Sequence, residues 1–310
     1  MNTLNIKKKD NARNNSLHII FSTLAVIACI ISLFLTAYRP SAGKSQTEET
    51  ALQRIKRTKT LRVAYGGFPP YTIVNLNETD SNRQVSGFVV DMINEIVLQS
   101  EGQIEKVEWV RLNWETYKAD MDSKRFDFLA DAVYYNVPKA FDYDFTVPFS
   151  YFGIACAIVK KDDNRFNVFE DLNRSDIKIS YALGYVSGPY AMKYLDKPEF
   201  VPVEVGDNAF AQLDYVINNR ADVAIQDVPT VIQYAKEHRD TVKALWIQNP
   251  PSSVAAGFLL RKEDNDLKNF LNICIQNMKA DGFLYKLDKK YHALGHLEQL
   301  SLIQGEGLKE

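Results

Sequence analysis

The chain has 310 residues, enough for one large domain or for two lobes with separate cores. Apolar residues make up 46% of it and charged residues 25%, the composition of an ordinary globular protein. The formal net charge is −2, and no basic stripe with interleaved aromatic residues follows the N-terminal region. Nucleic acid is therefore not an expected partner.

Residues 17–38 form an apolar segment without Asp, Glu, Lys or Arg. As a helix it would be about 33 Å long, enough to cross a bilayer. Basic residues within 7–13 precede it, which predicts a cytoplasmic segment at 1–16 and a remainder outside the cytoplasmic membrane. We predict an uncleaved transmembrane anchor, with a cleaved signal peptide and a lipid on Cys29 as the alternatives.

The next part of the chain, residues 39–59, is polar and is predicted to be a linker in which Ala51–Lys56 favours a helix. Strand and helix patterns then alternate, which is typical of an α/β fold with a parallel-type sheet. The predicted strands are Leu61–Tyr65, Val107–Val110, Phe128–Val133, Ile154–Val159, Ile177–Leu183, Val201–Val205, Ala221–Ile225 and Val254–Leu260. The predicted helices are Phe88–Val97, Trp114–Lys124, Tyr190–Leu195, Ala209–Asn218 and Leu267–Tyr291, with Trp114 in the core.

The segment Arg125–Phe149 places a polar turn, Asn136–Lys139, between an apolar strand and an aromatic strand. A turn at the carboxyl end of a strand is where open α/β sheets present groups to a ligand. The segment resembles the signature of the amino-acid-type extracellular solute-binding proteins, family 3. In that family an Arg of the turn clamps the ligand carboxylate, and Lys139 stands at its position here. The resemblance covers nearly all of Thr60–His292.

The resemblance implies a two-lobed periplasmic-binding-protein-like fold of type II. Two apolar strands that each end in a charged turn would be the crossings between the lobes. The first lobe would then comprise residues 60–152 and 253–296, with the second lobe, 153–252, inserted between them. Residues 297–310 would form a C-terminal tail.

Asp227 lies just past the strand pattern Ala221–Ile225. The resemblance implies that it receives the ammonium group of the ligand, while helix capping is the structural alternative. The resemblance also implies that Asp131, Tyr134 and Asn136 contribute to the site. As a charged residue, Asp131 could meet a ligand ammonium directly. Lys139 keeps the positive charge of the Arg but loses its planar fork, so a carboxylate would meet a point charge.

Two further loops complete the predicted site. Phe68 and Tyr71, in the Gly-Gly-Phe-Pro-Pro-Tyr turn, are expected to wall a small ligand, although they could also pack on the sheet as part of a rigid turn. Ser187 lies in the turn Gly184–Gly188, which resembles the family's turn for the anionic end of the ligand.

These residues predict a membrane-tethered binding protein for an amino acid or related amine, serving an ABC-type permease or a sensor. The alternatives are a dehydratase of the cyclohexadienyl acid type on the same fold, with Glu101, Glu108 and Asp131 as the candidate acids, and a partner-docking module. No nucleophile, cofactor or metal motif is present, so we expect no enzyme activity, cofactor or metal. His292 and His296 have the four-residue spacing of a helical metal pair, but Gly295 between them favours a frayed helix tail. Cys156 and Cys274 are predicted to be buried thiols.

Overall fold

The structure is a computed structural model that describes residues 27–28, 30–32, 49–79, 83–114, 116–205, 208 and 210–291. The predicted membrane segment therefore lies outside the described residues, apart from five helical positions within 27–32. Cys29, His292, His296 and the tail at 297–310 also lie outside them. Among the described residues, no helix is long and apolar enough to span a bilayer. Met1–Glu49 and Thr50–Glu310 are separate units, and the elements below belong to the second.

Strands and helices alternate along the second unit. The strands are β1 (Thr60–Tyr65), β2 (Ile73–Val74), β3 (Val85–Ser86), β4 (Lys106–Arg111), β5 (Phe128–Tyr134), β6 (Tyr143–Phe145), β7 (Ser150–Ile154), β8 (Cys156–Lys160), β9 (Lys178–Ala182), β10 (Glu199–Val203), β11 (Val223–Gln226), β12 (Val242–Leu245) and β13 (Ser252–Arg261). The helices are α1 (Ala51–Thr58), α2 (Phe88–Gln99), α3 (Tyr117–Asp122), α4 (Val137–Asp142), α5 (Ser187–Tyr194), α6 (Ala211–Ile217), α7 (Val228–Glu237), α8 (Asn265–Ala280) and α9 (Phe283–Tyr291), with a 3-10 turn at Phe169–Leu172.

The first sheet has the order β4-β1-β5-β13-β6, with β7 also paired to β13. Strands β4, β1 and β5 are parallel, while β13 runs antiparallel to β5, β6 and β7. Apolar side chains of α1, α2, α8 and α9 fill the core on one face of this sheet. Side chains of α3 and its flanking loops fill the other. Helices on both faces explain why the central strands are mostly apolar.

The second sheet has the order β10-β9-β11-β8-β12. Strands β10, β9 and β11 are parallel, and β8 and β12 run antiparallel to their neighbours. The 3-10 turn and α5 cover one face, while α6 and α7 cover the other. Cys156 in this sheet and Cys274 on α8 are free and buried, as predicted.

The chain changes sheets at Ala155, which lies in the left-handed region with φ of 61°. The predicted strand Ile154–Val159 is therefore wrong as one element, because Ile154 pairs in the first sheet and Ala157 in the second. The predicted helix Leu267–Tyr291 is likewise divided in two. Gly282, with φ of 76°, interrupts it, since a left-handed residue cannot continue a right-handed helix.

Helix α1 packs on the first sheet and its helices. Its Ile55 is fully buried, and the Ala51 amide donates to the Asp264 carboxylate before α8 over 3.0 Å. Arg54 forms an ion pair of 2.6 Å with buried Asp127, which precedes β5. Although these residues fall within the predicted linker, α1 is thus a docked element with its own buried contacts.

Candidate functional site

The site lies at the carboxyl ends of β1 and β5. These two strands are parallel neighbours, with Val63 opposite Phe128, so the segments that follow them leave the same edge of the first sheet. The turn after β1 carries Phe68 and Tyr71, and β5 carries Asp131 and Tyr134. The order of strands therefore brings four of the predicted site residues to one edge.

Asp131 fixes the turn that follows β1. Its carboxylate is 3% exposed and accepts hydrogen bonds from the amides of Gly66 and Gly67, over 3.1 Å and 3.2 Å, and from the Thr72 hydroxyl. Burial raises the pKa of Asp131 above its usual range, and these hydrogen bonds oppose that rise only in part. Gly66 is required here, because a Cβ atom would lie 2.5 Å from a carboxylate oxygen of Asp131.

Four aromatic rings form an aromatic wall beside this turn: Phe68, Tyr71, Tyr134 and Phe152. Phe68 stacks on Tyr71 with centroids 5.7 Å apart, and Phe152 lies 4.9 Å from Tyr134 and 5.0 Å from Tyr71. The buried Tyr71 hydroxyl is hydrogen-bonded to Ser150 over 2.8 Å. Tyr71 is thus a core residue, consistent with the structural alternative, whereas Phe68 and Tyr134 retain partial exposure.

Asp227 faces this wall from the second sheet. It is 2% exposed, and its carboxylate accepts from the Thr230 amide over 2.9 Å, which caps the N-terminus of α7. Burial raises the pKa of Asp227, while Thr230 and Tyr134 act in the opposite direction. The capping alternative and the site interpretation are therefore compatible, because the cap occupies only part of the carboxylate.

The Tyr134 hydroxyl of the first sheet interacts electrostatically with Asp227, which follows β11 of the second sheet. It is buried beside the Asp227 carboxylate, and among the described residues it makes no hydrogen bond of regular geometry. Burial, followed by the nearby charge of Asp227, raises the pKa of Tyr134 well above its usual value. The Tyr134 hydroxyl and the Asp227 carboxylate therefore lie side by side, where a ligand ammonium could meet both oxygens.

Three predicted residues have other contacts in this conformation. The Asn136 side chain accepts from the Lys139 amide over 3.3 Å and caps α4. The Lys139 ammonium lies over the Tyr117 ring, 5.9 Å from its centroid, and burial lowers its pKa. The Ser187 hydroxyl accepts from the Ala155 amide over 3.3 Å, at the change of sheets. The structure thus does not gather these three around the two carboxylates.

Sequence reasoning missed Tyr185 and misplaced Trp114. The pKa of Tyr185 is raised by burial and then by the charges of Asp227 and Asp131, so its hydroxyl lies within electrostatic reach of both. The core prediction for Trp114 is wrong, because its side chain is 48% exposed. A short connection after β4 and the late start of α3 leave Trp114 outside the helix.

Within the described residues no cluster of three or more His, Cys, Asp or Glu side chains could hold a metal ion.

Comparison with known proteins agrees with this architecture. The sequence profile of the bacterial extracellular solute-binding proteins, family 3, matches residues 61–294. The chain belongs to this family. The earlier resemblance is thereby confirmed, and the α/β periplasmic-binding-protein-like fold is shared with solved structures.

Three similar proteins illustrate the relationship. A probable amino-acid ABC transporter-binding protein of Haemophilus influenzae is 27% identical, over 82% of this chain and 94% of that protein. The L-cystine-binding protein TcyJ of Escherichia coli K12 is 24% identical, over 80% and 88%. The ancestral amino acid-binding protein AncCDT-1, a precursor of cyclohexadienyl dehydratase, has a TM-score of 0.62 at 27% identity, covering 78% and 99%. A second structure of AncCDT-1, described as a cationic amino acid solute binding protein, has a TM-score of 0.57 at 29% identity, covering 77% and 98%.

Proposed function

We propose that this chain is a membrane-tethered solute-binding protein that captures a small polar ligand, an amino acid or a related amine, between two lobes. The observation that carries the proposal is the pair of buried carboxylates, Asp131 and Asp227, beside the aromatic wall. Neither forms an ion pair within the described residues. A buried charge is costly unless it is paired, and a ligand ammonium would supply the missing partner. The amino-acid names of the relatives support this ligand class.

In this proposal each side chain has a chemical role. Asp227 receives the ligand ammonium, and the Tyr134 hydroxyl gains a polar partner at the same point. Phe68 walls the apolar part of the ligand, and the buried Tyr71 ring supports it from behind. Lys139 moves from the Tyr117 ring to meet a ligand carboxylate as a point charge. Asn136 and Ser187 act indirectly, by holding the α4 turn and the change of sheets in place.

We further propose that residues 60–152 and 253–296 form one lobe and residues 153–252 the other. The separate cores of the two sheets support this division. Rotation about Ala155 and the segment 246–251 would open and close the cleft. Solution scattering tests this motion, since a stabilising ligand should make the protein more compact.

The partner in this proposal is an ABC-type permease, supported by the transporter names of the relatives. The apolar segment 17–38 would hold the protein in the cytoplasmic membrane with its binding domain on the periplasmic or extracellular side. Expression of the full-length chain in a bacterium, followed by fractionation, tests the tether. Recovery of a shortened species in the soluble extracytoplasmic fraction would contradict it.

Binding is tested by a thermal-shift screen of the full-length protein in mild detergent against the standard L-amino acids, L-cystine and linear amines. Calorimetry then compares the best ligand with variants. Asp227→Asn keeps an oxygen for the α7 cap but removes the charge, so affinity should fall at least about thirty-fold. Lys139→Ala should cost less than about tenfold, because a lysine lacks bidentate geometry. Asp240→Asn, on a fully solvated carboxylate, is the matched control. Unchanged affinity in Asp227→Asn would reject the site.

A dehydratase on the same fold is less well supported by the described geometry. Asp131 is held by the turn after β1, whereas Glu108 is half exposed and paired with Lys106 over 2.7 Å. Glu101 is exposed in the turn after α2. These three carboxyls thus form no convergent acid–base pair. Two buried carboxylates would also oppose an anionic cyclohexadienyl acid.

A further inference from the structure

The Lys139 side chain of α4 lies against α3 in this conformation. Its ammonium is over the Tyr117 ring, 5.9 Å from the ring centroid, and the residue is partly buried. Among the described residues, no carboxylate forms an ion pair with Lys139, and the one acidic residue of α4, Asp142, lies 4.0 Å from the Lys118 ammonium instead. The face of an aromatic ring attracts a cation. The Tyr117 ring is therefore the group that holds the Lys139 charge here.

The position of the Tyr117 ring is fixed by its neighbours. Tyr117 is the first residue of α3 and is 9% exposed. The Trp114 ring makes an edge contact with it at 5.9 Å between centroids, and the Tyr143 ring at the start of β6 lies 6.4 Å away. A ring that packs against two others keeps one orientation, so it offers the Lys139 ammonium a preformed contact.

Lys118 adds a second influence on this ammonium. It follows Tyr117 on α3, and burial, the larger cause, together with the Lys118 charge lowers the pKa of Lys139. A ligand carboxylate would oppose both effects, because an opposite charge favours the charged form of a lysine. Lys139 is thus held by a neutral ring beside a like charge, and contact with a ligand carboxylate requires that it leave the ring.

We infer that Tyr117 is a positioning residue, which holds Lys139 and so competes with the carboxylate of a bound amino acid. This inference rests on the proposed function, which assigns the ligand carboxylate to Lys139. An amino acid must draw Lys139 away from the ring, whereas an amine without a carboxylate leaves that contact in place. Tyr117 therefore lowers the affinity for amino acids relative to the amines that lack only the carboxylate.

Two matched pairs of probes isolate the carboxylate: L-norleucine with pentylamine, and L-cystine with cystamine. The members of each pair differ only in their carboxylates. Calorimetry on the full-length protein in mild detergent compares them in the parent and in Tyr117→Leu. The variant should bind the amino acid of a pair about two- to fivefold more tightly, because the competing ring is gone. The affinity for the matching amine should stay within about 1.5-fold, since the amine never displaces Lys139.

Three further variants separate this competition from a general effect on the fold. Tyr117→Phe retains the ring face and should restore the preference of the parent. In a Lys139→Ala background, Tyr117→Leu should no longer change the ratio of the two affinities within a pair, because the residue that it positions is absent. Tyr215→Leu is the matched control, since it removes a ring that lies 5.6 Å from the Arg220 guanidinium, and it should alter neither affinity.

A spectroscopic measurement on the parent protein covers the case in which Tyr117→Leu does not fold. With ¹³C-labelled lysine, and with Lys139→Arg to assign the signals, the methylene protons of Lys139 should be shifted upfield by the Tyr117 ring current. L-norleucine should abolish this shift, because Lys139 leaves the ring. Pentylamine should leave the shift unchanged.

The outcomes separate this inference from the proposed function. An equal change for both members of a pair in Tyr117→Leu, or no gain for the amino acid, rejects the competition while amine binding stands. A selective gain that persists without Lys139 also rejects it, as do Lys139 signals that do not move when L-norleucine binds. If none of the four probes binds, both the positioning role of Tyr117 and the proposed ammonium site are wrong.

Discussion

Asp127 joins three elements of the first sheet, and its removal should destabilise the protein without touching the cleft. Its side chain is fully buried and pairs with Arg54 over 2.6 Å and with Arg62 over 3.0 Å. It also accepts from the Arg62 amide over 2.7 Å. Helix α1, strand β1 and the start of β5 therefore share one carboxylate. Asp127→Ala removes it and leaves both guanidinium groups without this partner.

The size of the expected loss in stability follows from how deeply the Asp127 ion pairs are buried. Removing one partner of a fully buried ion pair costs about 3–5 kcal/mol. The Arg54 and Arg62 side chains are 17% and 25% exposed, so water can partly replace the lost acceptor. We therefore expect a loss of about 2–3 kcal/mol in the free energy of unfolding. For a domain of this size that corresponds to a fall in Tm of about 4–12 °C.

Differential scanning fluorimetry and urea unfolding measure this loss. Asp240→Ala is the control, because Asp240 is 95% exposed and 4.0 Å from Arg239, and its Tm should change by less than about 2 °C. Ligand affinity at the cleft should be unchanged in Asp127→Ala. A fall in Tm no larger than that of the control would refute the stabilising role of the Asp127 network.

Two further predictions concern the site and the second sheet. Burial raises the pKa of Asp227 in the folded state, so the folded chain holds this proton more tightly than the unfolded chain, and its contribution to stability falls as pH rises through the folded pKa. We therefore expect that, without ligand, the Tm of Asp227→Asn exceeds that of the parent protein at pH 7.5, and that this difference shrinks towards pH 4. A difference in Tm that stays constant across this range would contradict the argument. Gly188→Ala should lower stability by about 1–3 kcal/mol, because the new Cβ would lie 2.2 Å from the Tyr181 ring. Urea unfolding should show this loss, and a Tyr181→Ala background should relieve it; an equal loss there would show that the ring is not the cause.

The order of strands and helices could be predicted from the sequence, because apolar periodicity reports which face of each element is buried. The prediction failed where a single backbone residue decides the outcome. The apolar run through Ala155 reads as one strand, but a left-handed residue directs its two halves into different sheets. Gly282 similarly divides a continuous amphipathic pattern into α8 and α9.

The site was predictable only to the extent that it follows from strand order. The sequence placed Asp131 in the strand before the Lys139 turn and Asp227 just past another strand, and both side chains are buried. It did not show that Lys139 would lie over Tyr117, or that the charges of both carboxylates would raise the pKa of Tyr185, since both depend on how distant segments pack together. The exposure of Trp114 likewise depends on where α3 begins. No local pattern encodes these placements.

Helix α1 belongs to the half of the protein that contains the first sheet. Its amide and guanidinium contacts are with Asp264 and Asp127, and both belong to the first sheet and its helices. In the proposed closure, α1 therefore moves as one body with the first sheet, and the second sheet, carrying Asp227, moves relative to both.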